Sequence, residues 1–233
     1  MTFTIDERIR HGMEKQLALR RARLEAGQKS IGWKVGFGAP AAMERLGISS
    51  PLIGFLTEEA LLPTSTKVSI EGWVKPAIEP EIAIYIGEAL DPKADRETLR
   101  AGIEAIGPAI ELADLDPPPV EVEAILAGNI FNRHVILGKA DPSRAGCILD
   151  GLTARMYRND EHMATTTDLL ALTGDLIDIV RHVAATLAHV GAALRPGELI
   201  IAGSIVPPIW GESNLDFRYE LDPVDSISVY FSA

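Results

Sequence analysis

The sequence predicts an α+β fold, a single domain over 1–233 with an N-terminal helical extension of about 1–28. Three observations carry this. Many short apolar or alternating stretches read as strands, against only three substantial helices. Strands and helices do not alternate regularly, which disfavours a doubly wound parallel sheet. There is no G-x-G-x-x-G, no P-loop and no repeat of fixed period. With 233 residues, 47% of them hydrophobic, the chain has enough apolar material for a sizeable core.

The elements follow in order. Residues 5–26 read as one helix, with Ile9, Met13, Leu17 and Leu24 on one side and Ala26-Gly27 ending it. Residues 31–37 form a short apolar strand with glycines and one central lysine, Lys34. A short helix at 40–46 stops at Gly47, Ser49-Ser50-Pro51 turns, and 52–56 is a strand. Residues 66–75 read as one strand or two, and 78–86 as a strand closed by Gly87. Residues 95–106 look helical with Asp95 as N-cap, before a strand at 108–113. Pro117-Pro118-Pro119 forms a loop or leads into a helix at 120–127, where Pro119 suits the first turn. Strands follow at 135–138 and 152–158, the latter turning at Asn159-Asp160 toward His162-Met163-Ala164. The clearest helix is 175–190, striped by Leu176, Ile179, Val180, Val183 and Leu187 and ended by Gly191. Pro196-Gly197 turns into a strand at 198–202, and strands near 215–221 and 226–232 close the chain.

Charge and cysteine usage exclude several classes. A net charge of −11 argues against nucleic acid and anionic membrane as partners. It leaves room for a small anionic substrate, because a bound cation reverses the local field. One cysteine, Cys147, rules out a disulfide framework and points to a reducing compartment and a structural thiol. The first 24 residues carry charge throughout with no apolar signal core, and Pro, Gly or charge interrupts every apolar run. The expectation is a soluble, cytoplasmic protein.

The residues that carry chemistry lie in Ile78-Glu79-Pro80-Glu81-Ile82-Ala83. Strand residues two apart project to one face, so Glu79 and Glu81 point the same way. Like carboxylates repel, more so when buried, and a divalent cation is the usual compensation. Glu111 sits in a similarly apolar setting on another strand. Three carboxylates make a hard-cation site, suited to Mg²⁺ or Mn²⁺ rather than zinc. The alternative is that Glu79 and Glu81 are solvent-facing strand residues.

Four segments stand in a fixed order: Gly32-Trp33-Lys34-Val35-Gly36, Glu79-Pro80-Glu81-Ile82-Ala83, Pro108-Ala109-Ile110-Glu111 and Leu199-Ile200-Ile201-Ala202-Gly203-Ser204. From about residue 8 to the end, the chain resembles the fumarylacetoacetate hydrolase superfamily. Within it the likeness is to the 2-hydroxypenta-2,4-dienoate (2-keto-4-pentenoate) hydratases and 4-oxalocrotonate decarboxylases of aromatic meta-cleavage pathways. The resemblance implies a mixed β-sandwich roll flanked by helices in a catalytic domain, working as a homo-oligomer and in some members alongside a related pathway enzyme. It implies Mg²⁺ or Mn²⁺ on Glu79, Glu81 and Glu111, with Lys34 beside it as the acid–base or electrostatic residue. It puts the Gly203-Ser204 turn at the substrate's carboxylate end. The implied substrates are small anionic 2-keto or 2-hydroxydienoate acids, whose enolate a chelated cation stabilises during hydration or decarboxylation. For Lys34 the alternative is a solvated strand lysine.

Two segments depart from the hydratase pattern. Gly47-Ile48-Ser49-Ser50-Pro51-Leu52-Ile53-Gly54 lacks the acids those enzymes carry around the proline. In Gly128-Asn129-Ile130-Phe131-Asn132-Arg133-His134, Asn129 is kept as a substrate-binding candidate but Phe131 replaces a serine. Phe131 and Leu52 then line a larger, more apolar pocket. Arg133 is a candidate clamp for a second substrate carboxylate, and His134 a proton donor; both also read as surface loop residues. The leading expectation is a metal-dependent hydratase, with 2-oxo acid decarboxylation as the alternative. Acylpyruvate hydrolysis needs a His-Glu pair, for which His11 and Glu14 are the only nearby candidates. A non-catalytic complex subunit would have no reason to keep the carboxylate cluster. Trp73 and Trp210 read as core or subunit contacts, with a substrate-wall role open for Trp210.

Overall fold

The computed structural model describes residues 5–116 and 120–233. In chain order the strands are β1 (Ser30–Gly36), β2 (Leu52–Thr57), β3 (Leu61–Leu62), β4 (Thr66–Ser69), β5 (Pro76–Ile86), β6 (Ile103–Asp114) and β7 (Asn132–Leu137). They continue as β8 (Thr153–Arg158), β9 (Glu161–Thr166), β10 (Leu199–Ser204), β11 (Ile209–Trp210), β12 (Leu215–Asp222) and β13 (Asp225–Ser232). The helices are α1 (Glu7–Glu25), α2 (Pro40–Leu46), α3 (Arg96–Ala101), α4 (Val122–Ala127) and α5 (Leu176–His189). The larger mixed sheet runs β2-β1-β10-β5-β6-β7-β3, with β11 paired to the start of β5; the smaller runs β4-β13-β12-β8-β9.

The larger sheet must curl. β2 and β3 lie at its two ends, yet only the 3₁₀ turn Glu58–Ala60 joins them. The four steps from Thr57 to Leu61 reach at most about 14 Å, whereas six strand spacings of a flat sheet cover about 29 Å. The sheet therefore rolls, bringing its edges together. Its inner face carries a second apolar cluster of Leu56, Ala60, Ala83, Ala109, Val135, Leu199 and Ile201. Its outer face carries Ile82, Ile84, Ile106, Ile110 and Ile136, which share one core with Phe217, Tyr219, Leu221, Ile227, Val229 and Phe231 of the smaller sheet. The result is the expected α+β sandwich roll. Each buried side chain of this size contributes about 1.5–3 kcal/mol to that packing.

The helices close the roll. Asp6 caps α1 by accepting from Arg8 N, and α1 buries Ile9, Met13 and Gln16. Gly12 lets α1 approach α4, where a Cβ would meet Leu126 Cβ at 2.7 Å. Gln16 Nε2 donates to the carbonyls of Ile53 (3.0 Å) and Leu126 (2.9 Å), tying α1 to β2 and α4. Asp175 caps α5 through the N–H groups of Ile177 and Asp178, and the expected apolar stripe is buried.

Three expectations need correction. The helix read at 95–106 ends at Ala101, and β6 begins at Ile103 because Ile103 and Ala105 pair with Ile86 and Tyr85 of β5. The strand read at 66–75 stops at Ser69, where the pairing of β4 with β13 ends. Val120 and Glu121 precede α4 rather than opening it. The proline run 117–119 lies outside the described residues. Among the described residues, no helix is long and apolar enough to cross a membrane.

Candidate metal centre

Register places the four charged residues together. In the β5–β6 pairing Glu79 lies opposite Glu111 and Glu81 opposite Ala109. β10 bridges β5 to β1, with Ala83 opposite Ile201 and Ile201 opposite Lys34. Alternation then turns Glu79, Glu81, Glu111 and Lys34 to the inner face of the roll. One carboxylate oxygen from each glutamate lies within 4.8 Å of the others. Glu81 and Glu111 have no exposed surface, Lys34 is 1% exposed and Glu79 is partly buried.

Glu81 and Glu111 each commit one oxygen and leave the other without a partner. Glu111 Oε1 accepts from Lys34 Nζ and from Asn132 Nδ2 (2.8 Å). Glu81 Oε2 accepts from Gly203 N (2.8 Å). The other oxygens, Glu81 Oε1 and Glu111 Oε2, are buried with no hydrogen-bond partner. Leaving such atoms unpaired costs about 1–3 kcal/mol each, more when charged. Burial, and then Glu111 alongside, push Glu79 up to about 7, while Lys34 opposes the rise. The same causes hold Glu81 well above the ordinary carboxylate range, with the Gly203 N–H pulling the other way. Convergent hard oxygens with free lone pairs on buried carboxylates suit a six-coordinate divalent cation such as Mg²⁺ or Mn²⁺. The donor set therefore fits the cation that the sequence implied.

Local structure explains each position. Ala202 and Gly203 of β10 oppose the single Ile82 of β5, a bulge that frees the Gly203 N–H. Gly203 has φ +97°, open to glycine and strained for other residues, and it delivers that N–H to Glu81. Ser204 pairs with Glu81 in register and its Oγ reaches Pro80 O at 3.4 Å, so the Gly203-Ser204 turn stands beside the cluster. Lys34 Nζ also donates to Ile130 O (3.1 Å). That carbonyl belongs to a run of three non-glycine residues with positive φ: Asn129 +54°, Ile130 +52° and Phe131 +61°. Such residues cost of order 1–3 kcal/mol each and cluster at functional sites.

Other candidates lie elsewhere. Asn129, expected as a substrate ligand, is buried and directs its amide to Phe55, accepting from its N–H (2.8 Å) and donating to its carbonyl (2.9 Å). Phe131 packs partly buried against the core, and Leu52 has no exposed surface with which to line a pocket. Arg133 donates to Asp114 Oδ2 (3.1 Å) and lies over the Trp73 ring. Asp114 is three positions beyond Glu111 on the same strand, so alternation turns it, and Arg133 with it, away from the carboxylates. His134 stacks on Trp73 at 6.2 Å, and burial pulls its pKa down. His11 lies on the exposed surface of α1 near Glu123, while Glu14 pairs with Arg10. Trp210 is exposed beneath Lys75. Burial raises the Cys147 thiol to about 12, in keeping with a structural role.

Sequence reasoning missed three contributors. Asn132, the first residue of β7, carried no signal beyond its residue type. The Ile130 carbonyl is a backbone group whose direction depends on a left-handed turn. Gly54, opposite Lys34 on β2, leaves space that a Cβ would fill at 2.7 Å from Lys34 Cγ.

No family model matches the chain. Among curated proteins it is 25% identical over 229 residues to a 4-oxalocrotonate decarboxylase of Pseudomonas sp, covering 94% of this chain and 86% of the relative. It is 25% identical over 221 residues to the 2-hydroxyhexa-2,4-dienoate hydratase of Comamonas testosteroni, covering 93% and 83%. Among solved structures, 4-oxalocrotonate decarboxylase from Pseudomonas putida G7, complexed with magnesium and adipate, superposes with a TM-score of 0.85 at 23% identity, covering 94% of this chain and 84% of that one. A fumarylpyruvate hydrolase from Pseudomonas aeruginosa with Mn²⁺ and pyruvate gives a TM-score of 0.66 at 15% identity, covering 86% and 88%.

Proposed function

We propose that this chain, which has the fold of the fumarylacetoacetate hydrolase superfamily and resembles its hydratase and decarboxylase branch, is a divalent-metal-dependent lyase acting on 2-hydroxydienoate or 2-keto unsaturated acids. One observation carries the reading: Glu81 and Glu111 each anchor one oxygen and leave the other buried and unpartnered beside Glu79, with Lys34 adjacent. Glu79, Glu81 and Glu111 would hold Mg²⁺ or Mn²⁺. When bound, that cation supplies positive charge for the substrate's carboxylate and 2-oxo oxygens and for the negative charge that grows there. Lys34 Nζ, held between Glu111 and Ile130 O, would carry a proton to or from the substrate chain. The reading includes a homo-oligomer working in the cytoplasm.

Decarboxylation is the second reading, and one observation favours it. The segment 47–54 holds no acid to activate water; Ser49 is exposed, and Leu52 is sealed in the core. An ultraviolet assay with 2-hydroxypenta-2,4-dienoate and with 4-oxalocrotonate, with Mn²⁺ and with chelator, tests both. Metal-dependent loss of either chromophore supports the lyase, and product analysis separates water addition from CO₂ release. Turnover that survives chelation, or none on either acid, sinks the proposal.

A further inference from the structure

We propose that the strained turn Asn129–Phe131, with Asn132 just after it, is the device that seats the Lys34 ammonium on Glu111, and that Asn129 is its positioning residue. This rests on the lyase reading for its kinetic consequence, though not for its geometry. Three successive left-handed residues without a glycine, one of them β-branched, persist only where their surroundings over-determine them. Here the surroundings are explicit. The Asn129 amide grips both backbone groups of Phe55 on β2, at 2.8 and 2.9 Å. Ile130 is 3% exposed and its Cγ2 lies where a Cβ on Gly36 would come within 3.0 Å, so the chain has cleared a path for it on β1.

The strain yields two contacts on one ion pair. The left-handed Ile130 turns its carbonyl to Lys34 Nζ at 3.1 Å, and the strand resumes so that Asn132 Nδ2 meets Glu111 Oε1 at 2.8 Å. Ammonium and carboxylate are thus gripped from both ends by residues 130 and 132. Glu111 Oε1 is fully engaged and only Oε2 is left toward the other glutamates. Asn129 touches neither Lys34 nor Glu111 in this network; it acts through the turn.

The test is a double-mutant cycle on Mn²⁺ affinity, read by calorimetry on the full chain without substrate. Asn129→Ala should change the Mn²⁺ Kd at least threefold in the native background and less than 1.5-fold in Lys34→Met. Equal changes in both backgrounds, or none in either, overturn the proposal. Should Asn129→Ala fail to fold, Asn129→Gly removes the amide while accepting φ +54° freely, and enters the same cycle. In the dienoate assay, Asn129→Ala should lower kcat at least 30-fold with KM within threefold; a raised KM at unchanged kcat would make Asn129 a substrate ligand and overturn it. If the native protein turns over none of the acids, the lyase reading fails and the Mn²⁺ cycle alone decides this one.

Discussion

At the scale of single residues, the site depends as much on what is missing as on what is present. Lys34 reaches Glu111, and its stem lies against Gly54, its partner on β2. A Cβ there would sit 2.7 Å from Lys34 Cγ, which must shift, and 3.0 Å from Asn129 Oδ1, which must give by a few tenths of an ångström. Gly54→Ala should therefore lower kcat at least tenfold in the dienoate assay. Gly38→Ala is the matched control, since its Cβ would meet only Pro51 at 3.5 Å, and it should change kcat by less than twofold. The glutamates obey different arithmetic. Glu81 is buried with one oxygen unpartnered, so without a cation its carboxylate is a liability. Glu81→Gln should leave the metal-free melting temperature unchanged or raised, and abolish the upward shift that millimolar Mn²⁺ gives the native protein. A variant that retains the full shift would remove Glu81 from the ligand set.

At the scale of elements, an acid that the sequence did not mark holds three of them in place. Glu198, just before β10, accepts from Trp33 Nε1 (3.0 Å), Ser30 Oγ (2.9 Å) and Arg195 N (3.0 Å), with Arg20 of α1 at 3.6 Å. It ties α1, β1 and β10 together, and so sets the register that brings Lys34 beside Ile201. Removing one partner of a buried charge network costs about 3–5 kcal/mol. Glu198→Ala should lower the melting temperature by roughly 6–20 °C, at about 2–4 °C per kcal/mol for a chain of this size; calorimetry showing less than 3 °C would make the network ornamental. The contrast with Glu79, Glu81 and Glu111 shows what was legible. Those three stand out because period-two alternation in apolar strands is a local signal. Glu198 lies one residue after a Pro-Gly turn, where an acid is unremarkable, and its partners come from 165 or more positions away in Trp33 and Ser30. The helix overread at 95–106 has the same origin. Ile103-Glu104-Ala105-Ile106 suits either period, and only pairing with β5 decides it. The Asn129–Phe131 turn was illegible because tertiary contacts impose its positive φ on residues that do not prefer it.

At the scale of the whole molecule, the buried carboxylates couple stability to pH and metal together. Without a cation, the folded protein holds a proton on Glu79 up to about pH 7, and on Glu81 beyond the ordinary range, whereas unfolded carboxylates release theirs near 4.5. The folded state then binds more protons than the unfolded state across that window. Stability from these groups is greatest below the unfolded value and falls as pH rises through the folded one. Burial lowers the pKa of His134 and His182, and their titration pulls the opposite way below about 6.5. The carboxylate share is therefore read by difference. Between pH 5.5 and 7.5 the metal-free native protein should lose several degrees of melting temperature relative to Glu79→Gln. Mn²⁺ should act inversely. It competes with those protons for the same oxygens, so the stabilisation at a fixed millimolar concentration, RT ln(1 + [L]/Kd), should be larger at pH 7.5 than at 5.5. Thermal scans at the two pH values, with Mn²⁺ and with chelator, check both slopes. Parallel melting curves for native and Glu79→Gln protein would mean that the roll interior stays wet enough for its carboxylates to titrate as they do in water.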